Sequence, residues 1–336
     1  MPIVAAEIKV YRSSVVNDSG TNGNRMGNTL VTDNVKNNLL PDVTSSERTA
    51  GSTKYRKCFI KFENAAGLAA VTPKVFLEDI TTGDDRCAFF AGTHLPTDVQ
   101  SGIGSPRLYG AGRLNANVSA GATSITVAVE AAADALFLNG DTIRISDKQY
   151  VDSGSGNEEY ATITGTVTYV GNVATIPCSA LVNAYTAATP TKVSSVYQPG
   201  TIQPTVSAPV KTSTSGVFNL NNTGGNPIVC GPIGGVYDTW TLTFTSATAF
   251  GVVGTNTGSV GTGTTGANFA PNNAAFSSPY FTIPSAAWTG TWANGDTLTF
   301  TTTPSAIPVW IKRVVPAAAA SLSNNQTTLS IDTESA

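Results

Sequence analysis

Trp240-Thr-Leu-Thr-Phe-Thr245 sets a large apolar side chain at every second position and threonine between them. Side chains of an extended chain point alternately to opposite faces, so Trp240, Leu242 and Phe244 share one face and the threonines the other. Threonine suits the solvated face because β-branching is well tolerated on a pleated strand. Leu298 and Phe300 repeat the pattern against Thr297, Thr299 and Thr301. Such strands need a sheet with one buried side, and the stretch decides the fold class as all-β. Next comes Ile307-Pro-Val-Trp-Ile-Lys312, where Pro308 lacks a ladder donor and predicts an edge strand.

Upstream, strand-like pieces recur every ten or so residues: Ser124–Val129, Asp141–Ser146, Glu158–Thr164, Val167–Val170, Val173–Pro177 and Val193–Tyr197. Glycine or Asn-Gly punctuates them, the spacing of a sandwich or small barrel. Asn139-Gly-Asp-Thr-Ile-Arg-Ile145 parallels Asn294-Gly-Asp-Thr-Leu-Thr-Phe300, which fits either two related modules or convergent hairpin chemistry. Closer to the start, Lys54-Tyr-Arg-Lys-Cys-Phe-Ile-Lys-Phe62 sets Cys58, Ile60 and Phe62 against Tyr55, Lys57, Phe59 and Lys61. Lys74–Ile80 and Cys87–Phe90 follow. Helix is confined to short candidates at Val31–Leu40 and Ala131–Leu138.

The resulting expectation is two to three β-sandwich or small-barrel modules with extended N- and C-terminal arms. Residues 1–50 read as an arm, 51–108 as a sandwich part, 109–200 as an inserted barrel or sandwich, 201–320 as a C-terminal sandwich and 321–336 as a second arm. Both ends are polar with little periodicity, so they are expected to find burial on neighbouring subunits.

Composition narrows the function. Hydrophobic residues make up 41% of the 336, too many for disorder, while charged residues make up 12%, about half the ordinary share. A formal net charge of −3 gives no general reason to expect nucleic acid. No apolar run is long enough for a membrane helix, and the first residues lack the pattern of a secretory signal. Cys58, Cys87, Cys178 and Cys230 are widely spaced and read as buried free thiols rather than a zinc or redox site.

With His94 the sole histidine, any Ser-His-Asp or Cys-His arrangement would have to use it, and no nucleophile elbow surrounds it. Gly261-Thr-Gly-Thr-Thr-Gly266 matches a phosphate-binding fingerprint in letters, but no helix former follows it. Asp147, Asp152, Glu158 and Glu159 form a candidate calcium cluster around a Gly-Ser turn, against which stands a solvated hairpin tip. Trp288 and Trp292, about 13 Å apart if extended, offer either a sugar-binding platform or packing. Arg48, Lys54, Arg56, Lys57 and Lys61 form a basic cluster suited to an acidic partner surface or a charged strand face. No catalytic residue and no cofactor is expected.

Three stretches carry a resemblance: Glu47–Lys57 leading into an apolar strand, the Gly110–Ile145 segment with Ala120-Gly-Ala-Thr-Ser-Ile-Thr-Val127, and the closing Ile307–Ala317. Together they resemble virion structural proteins of tailed bacteriophages. The resemblance implies a non-enzymatic particle subunit, assembled in the host cytoplasm, whose partners are other virion proteins and copies of itself. Tail or baseplate is the preferred location. A capsid decoration protein is the alternative, and a carbohydrate-binding host-recognition module is the rival from another class.

Overall fold

The computed structural model describes residues 3–188, 191–219 and 227–335, and is nearly all β, with 44% strand and 6% helix. The chain opens with β1 (Ile8–Val15), β2 (Gly23–Val31), helix α1 (Ser45–Ala50), β3 (Ser52–Phe62), β4 (Ala70–Leu77) and β5 (Arg86–Ala91). A second run holds β6 (Ala111–Leu114), β7 (Ser124–Ala128), β8 (Thr142–Ser146), β9 (Glu158–Thr162), β10 (Thr168–Val170), β11 (Val173–Pro177) and β12 (Lys192–Val196). A third holds β13 (Thr205–Val206), β14 (Val210–Lys211), β15 (Gly216–Phe218), β16 (Asp238–Phe244), β17 (Ala249–Gly254) and β18 (Gly258–Thr264). It continues with β19 (Asn272–Asn273), β20 (Ser278–Pro279), β21 (Trp288–Gly290) and β22 (Thr297–Thr303). The chain then returns to its starting body with β23 (Ala306–Val315) and β24 (Leu329–Ser335).

That return changes the expected layout. The body sheet runs β2-β1-β3-β23-β5, so β23 is central rather than an edge. Pro308 is tolerated because pairing with β5 starts one residue later, at Val309, while the Pro308 carbonyl still accepts the Gly92 amide at 2.9 Å. The ends are not arms. β1 pairs with β3 from Ile8↔Phe62 to Arg12↔Cys58, and β24 pairs with β4 from Leu329↔Leu77 to Ser335↔Ala70. The β4–β24 ribbon closes over Cys58, Ile60, Phe62, Val309 and Ile311, forming a sandwich whose core includes Val75, Leu77 and Phe89. Short apolar pieces at both ends, such as Ile8, Val10, Leu329 and Ile331, find their burial on this core.

The second run forms a seven-stranded sheet, β10-β11-β7-β6-β12-β8-β9, around Ile125, Val127, Phe137, Ile143, Ile145, Ile176 and Val193. A bridge between Ile163 and Cys178 joins the segment after β9 to the segment after β11, so the sheet curls back on itself. In the third run β16 is flanked by β22 and β17, with Trp240↔Phe300 and Leu242↔Leu298 in register on the buried face. Thr239↔Thr301, Thr241↔Thr299 and Thr243↔Thr297 pair on the other face. Thr239 and Thr301 share a hydroxyl hydrogen bond at 3.0 Å.

The two Asn-Gly-Asp turns have the same chemistry. Gly140 and Gly295 sit at φ 89° and 90°, a conformation glycine adopts without a Cβ clash. Asp141 and Asp296 accept the amides of Leu138 and Ala293, at 2.7 and 2.9 Å. Each turn therefore caps itself and delivers the next strand.

Helix is placed differently from the sequence expectation. Ala132–Asp134 is one 3-10 turn, and residues 32–40 contain no helix. Among the described residues the one α-helix is Ser45–Ala50, started by a capping box in which Thr44 accepts from the Glu47 amide and Glu47 from the Thr44 amide.

Candidate functional site

The outer face of the body sheet is where the three parts of the chain meet. Alternation along β3 puts Tyr55, Lys57, Phe59 and Lys61 on this face, opposite the sandwich core. Cross-strand register adds Lys9 and Tyr11 from β1 and Trp310 from β23, with Phe90 of β5 next to Trp310. A charged strand face would ordinarily stay in water. Here Lys57, Phe59 and Lys61 are buried, beneath the segment after β5 and beneath Ile233, Tyr237 and Phe276 of the third run.

Each buried ammonium is enclosed by oxygens and aromatic rings. Lys57 Nζ reaches Asp98 at 2.9 Å and donates to the Asn24 carbonyl at 2.7 Å, with the Phe59 and Trp310 rings beside it. Asp98 also accepts from Trp310 Nε1 at 3.1 Å and from the Thr93 amide at 2.7 Å. Lys61 Nζ donates to the Ile233 carbonyl and lies 3.3 Å from Glu63 and 3.5 Å from the centre of the Phe276 ring. Glu63 further accepts from Tyr11 at 2.8 Å and pairs with Lys9 at 2.9 Å.

These surroundings set the proton affinities. Burial lowers Lys57 below the usual lysine range, opposed by Asp98, and lowers Lys61 to about 8, opposed by Glu63. Burial acts to raise Glu63, but Lys9, Tyr11 and Lys61 outweigh it and the carboxyl ends lower. The Tyr11 phenol is pushed up by burial and by Glu63. His94, between Phe59 and Tyr237 with ring centroids 6.0 and 6.3 Å away, is lowered to about 4, by burial first and then by the Lys57 charge.

A cleft of about 490 Å³ opens along this seam, lined by Glu7, Lys9, Tyr11, Glu63, Ile233 and Phe276. Its ionised groups are engaged with one another or with backbone amides: Glu7, for example, accepts from the Val4 amide at 3.0 Å and from Asn64 at 2.8 Å. Lys61, with no exposed side-chain surface, is not placed to attack a substrate. What the arrangement does chemically is clamp modules together: cations rooted in the body reach carbonyls and rings of the covering elements. Arg25 extends the clamp, donating to the Asn256 carbonyl at 2.9 Å in the turn between β17 and β18.

The other sequence candidates fall elsewhere. The basic cluster is not a free cationic surface: Arg56 pairs with Asp18, Lys54 with Asp18 at 3.0 Å and Glu47 at 2.7 Å, and Arg48 donates to the Val43 carbonyl at 3.1 Å. The calcium candidates do not converge, and no group of three or more metal-ligating residues occurs among the described residues. Glu158 is held by Arg144 at 2.6 Å and Lys148 at 3.1 Å, and Glu159 accepts the Val182 amide at 2.7 Å, while Asp147 accepts the Asn157 amide. Neighbours on a strand face opposite ways, which separates Glu158 from Glu159.

Trp288 and Trp292 are core residues and form no sugar platform. The left-handed Gly290 (φ 72°) bends the chain between them and brings their rings to 5.4 Å, with Trp292 stacked on Phe244 at 4.4 Å. Gly261–Gly266 lies mostly within β18 and precedes no helix, so it forms no phosphate cradle. Burial raises Cys58, Cys87 and Cys230 to about 12, leaving them protonated thiols.

Asp98, Ile233 and Phe276 were not singled out from sequence. They lie in irregular segments whose apolar and acidic residues follow no period, so no local signal marks what they cover.

No family model, curated protein or solved structure matches the chain. No helix among the described residues is long and apolar enough to cross a membrane.

Proposed function

We propose that the chain is a non-enzymatic structural subunit of a tailed-phage virion, most closely associated with the tail or baseplate, acting by symmetric packing against copies of itself and other particle proteins. One observation carries the reading: a nearly charge-free β-module is fixed to a charged body by a buried clamp. Across residues 201–304 the only Asp, Glu, Lys, Arg or His residues are Lys211, Asp238 and Asp296. Asp238 is buried and accepts the Asn256 and Thr257 amides at 3.0 and 2.7 Å, so it presents no charge outside. A surface of hydroxyl and glycine, held rigidly, favours flat contact with another protein over capture of an ion or a polyanion. The three resembling stretches support the same reading.

Quantitative mass spectrometry of purified particles tests it. The subunit should be present at a fixed stoichiometry, with a ring-sized number of copies for a tail or baseplate site and hundreds for the capsid surface or tail tube. Absence from particles made by cells that express it would overturn the proposal.

A further inference from the structure

Among the described residues, most sheet edges are guarded, and β18 stands out. β2 carries Arg25, and its start is bridged by Val99. β5 is capped by reciprocal hydrogen bonds between Phe89 and Tyr109, at 2.8 and 2.7 Å. β9 carries Glu158 and Glu159, β24 carries Asp332 and Glu334, and β10 has three residues. β13 and β14 have two residues each and lie beside Pro204 and Pro209. Charge, proline, brevity and cover are the usual devices against unwanted strand pairing.

β18 has neither charge, proline, brevity nor cover, and its one guard is a bulge near its start. It ends the sheet order after β17, and its seven residues Gly-Ser-Val-Gly-Thr-Gly-Thr contain neither charge nor proline. No Asp, Glu, Lys, Arg or His occurs between Asp238 and Asp296. A bulge at Val260 leaves Gly261–Thr264 as the regular stretch. The Thr265 amide donates to the Thr248 carbonyl at 2.8 Å, which fixes the ladder phase. Gly263 spends its backbone groups on Phe250, and those of Thr262 and Thr264 point away from β17.

We infer that this edge pairs with the same edge of a second copy, antiparallel, with Gly263 on the two-fold axis. Thr262 then exchanges both backbone hydrogen bonds with Thr264 of the partner subunit, and Thr264 with Thr262 of the partner subunit. Both side chains lie on the hydroxyl face, opposite the buried Phe250 side of the sheet, so threonine meets threonine across the axis. The same pairing already holds Thr239 to Thr301 and Thr212 to Thr297 within this sheet, at 3.0 and 3.2 Å between hydroxyls. An isologous contact sets like against like, which a neutral edge permits and a charged one resists. The pairing deepens the structural-subunit reading by giving its self-packing a strand and a register. It is tested on the isolated chain, so its failure and an absence from particles are separate results.

Sedimentation velocity over a concentration series should give a monomer–dimer equilibrium for the full chain. Thr262 and Thr264 are exposed, so a Thr262→Lys/Thr264→Lys double variant keeps the fold and sets like charges across the axis. Its dimer dissociation constant should rise at least about tenfold, while Thr291→Lys, an exposed position away from the edge, behaves as wild type. Amide hydrogen exchange should slow at Thr262 and Thr264 on dimerisation. A monomeric wild type at the highest concentration, equal dissociation constants for wild type and the double variant, or unchanged exchange at both amides would overturn the inference.

Discussion

The body sheet and the third module use the same alternation and treat their second faces in opposite ways. On β3 the second face carries Tyr55, Lys57, Phe59 and Lys61 and is largely buried; on β16 it carries Thr239, Thr241 and Thr243, which keep solvent access. The difference lies in what each face can offer a covering element. A lysine has a long apolar stem and three donors, so it lines a junction if carbonyls, carboxylates and rings arrive to meet it. Threonine is short, and Thr239 is already bonded to Thr301, leaving a flat face with little to grip. Charge on β3 therefore lines an internal seam, and its absence on β16 leaves a hydroxyl face in solvent.

The sharpest way to break the comparison is to damage one region and look for damage in the other. Trp240 is fully buried, with Nε1 donating to Thr302 at 2.9 Å, and Trp240→Ala should cost about 3–5 kcal/mol by denaturant titration. Limited proteolysis should then cut within residues 201–304 while the body resists. Equal cleavage of both would show that the module has no stability of its own.

A smaller effect separates charge from packing at the seam. Lys61→Ala leaves Phe276 and Tyr11 facing a void and Glu63 with one cation fewer, for a loss of about 2–3 kcal/mol. Lys61→Met keeps the stem and relieves the buried charge, and should stay within about 1 kcal/mol of wild type. A Met variant as unstable as the Ala variant would make the ion pair, and not the stem, the holding element.

His94 gives the seam a pH dependence. Its folded value of about 4 lies below its ordinary 6.5, so between these values the unfolded chain binds more protons. Stability should be intact above pH 6.5 and fall as pH drops toward 4, by about 1 kcal/mol after allowance for partial exposure. Thermal melts of His94→Gln should lack that part of the slope. The smallest effect belongs to the open face, where Thr241→Val should change stability by less than about 0.5 kcal/mol in the same melts.

Much of the strand content was legible because it rests on local rules. Residues 173–177 appear as the alternation placed them, and the Asn139-Gly-Asp and Asn294-Gly-Asp turns work as the sequence implied. The helix at Ser45–Ala50 was missed: it is too short to show a hydrophobic period, and its one local signal is the Thr44 and Glu47 capping box. Of the two readings open for Trp288 and Trp292, packing holds; a spacing of four could not choose between them because it says nothing about the bend at Gly290. Lys57 and Lys61 were assigned to the correct face of β3, yet nothing near them in sequence announces Asp98, Ile233 or Phe276.

Sequence alone determined that this chain builds β-sheets, which residues share a face, and where the turns close, since each of these depends on side chains only a few positions apart. Tertiary structure decided that Ala306–Val315 enters the middle of the first sheet, that both ends join strands, and that the lysine face is covered. The physical reason is that every strand offers the same backbone donors and acceptors along its edges. Alternation fixes which way a side chain points, but the neighbour is chosen by burial summed over the whole molecule.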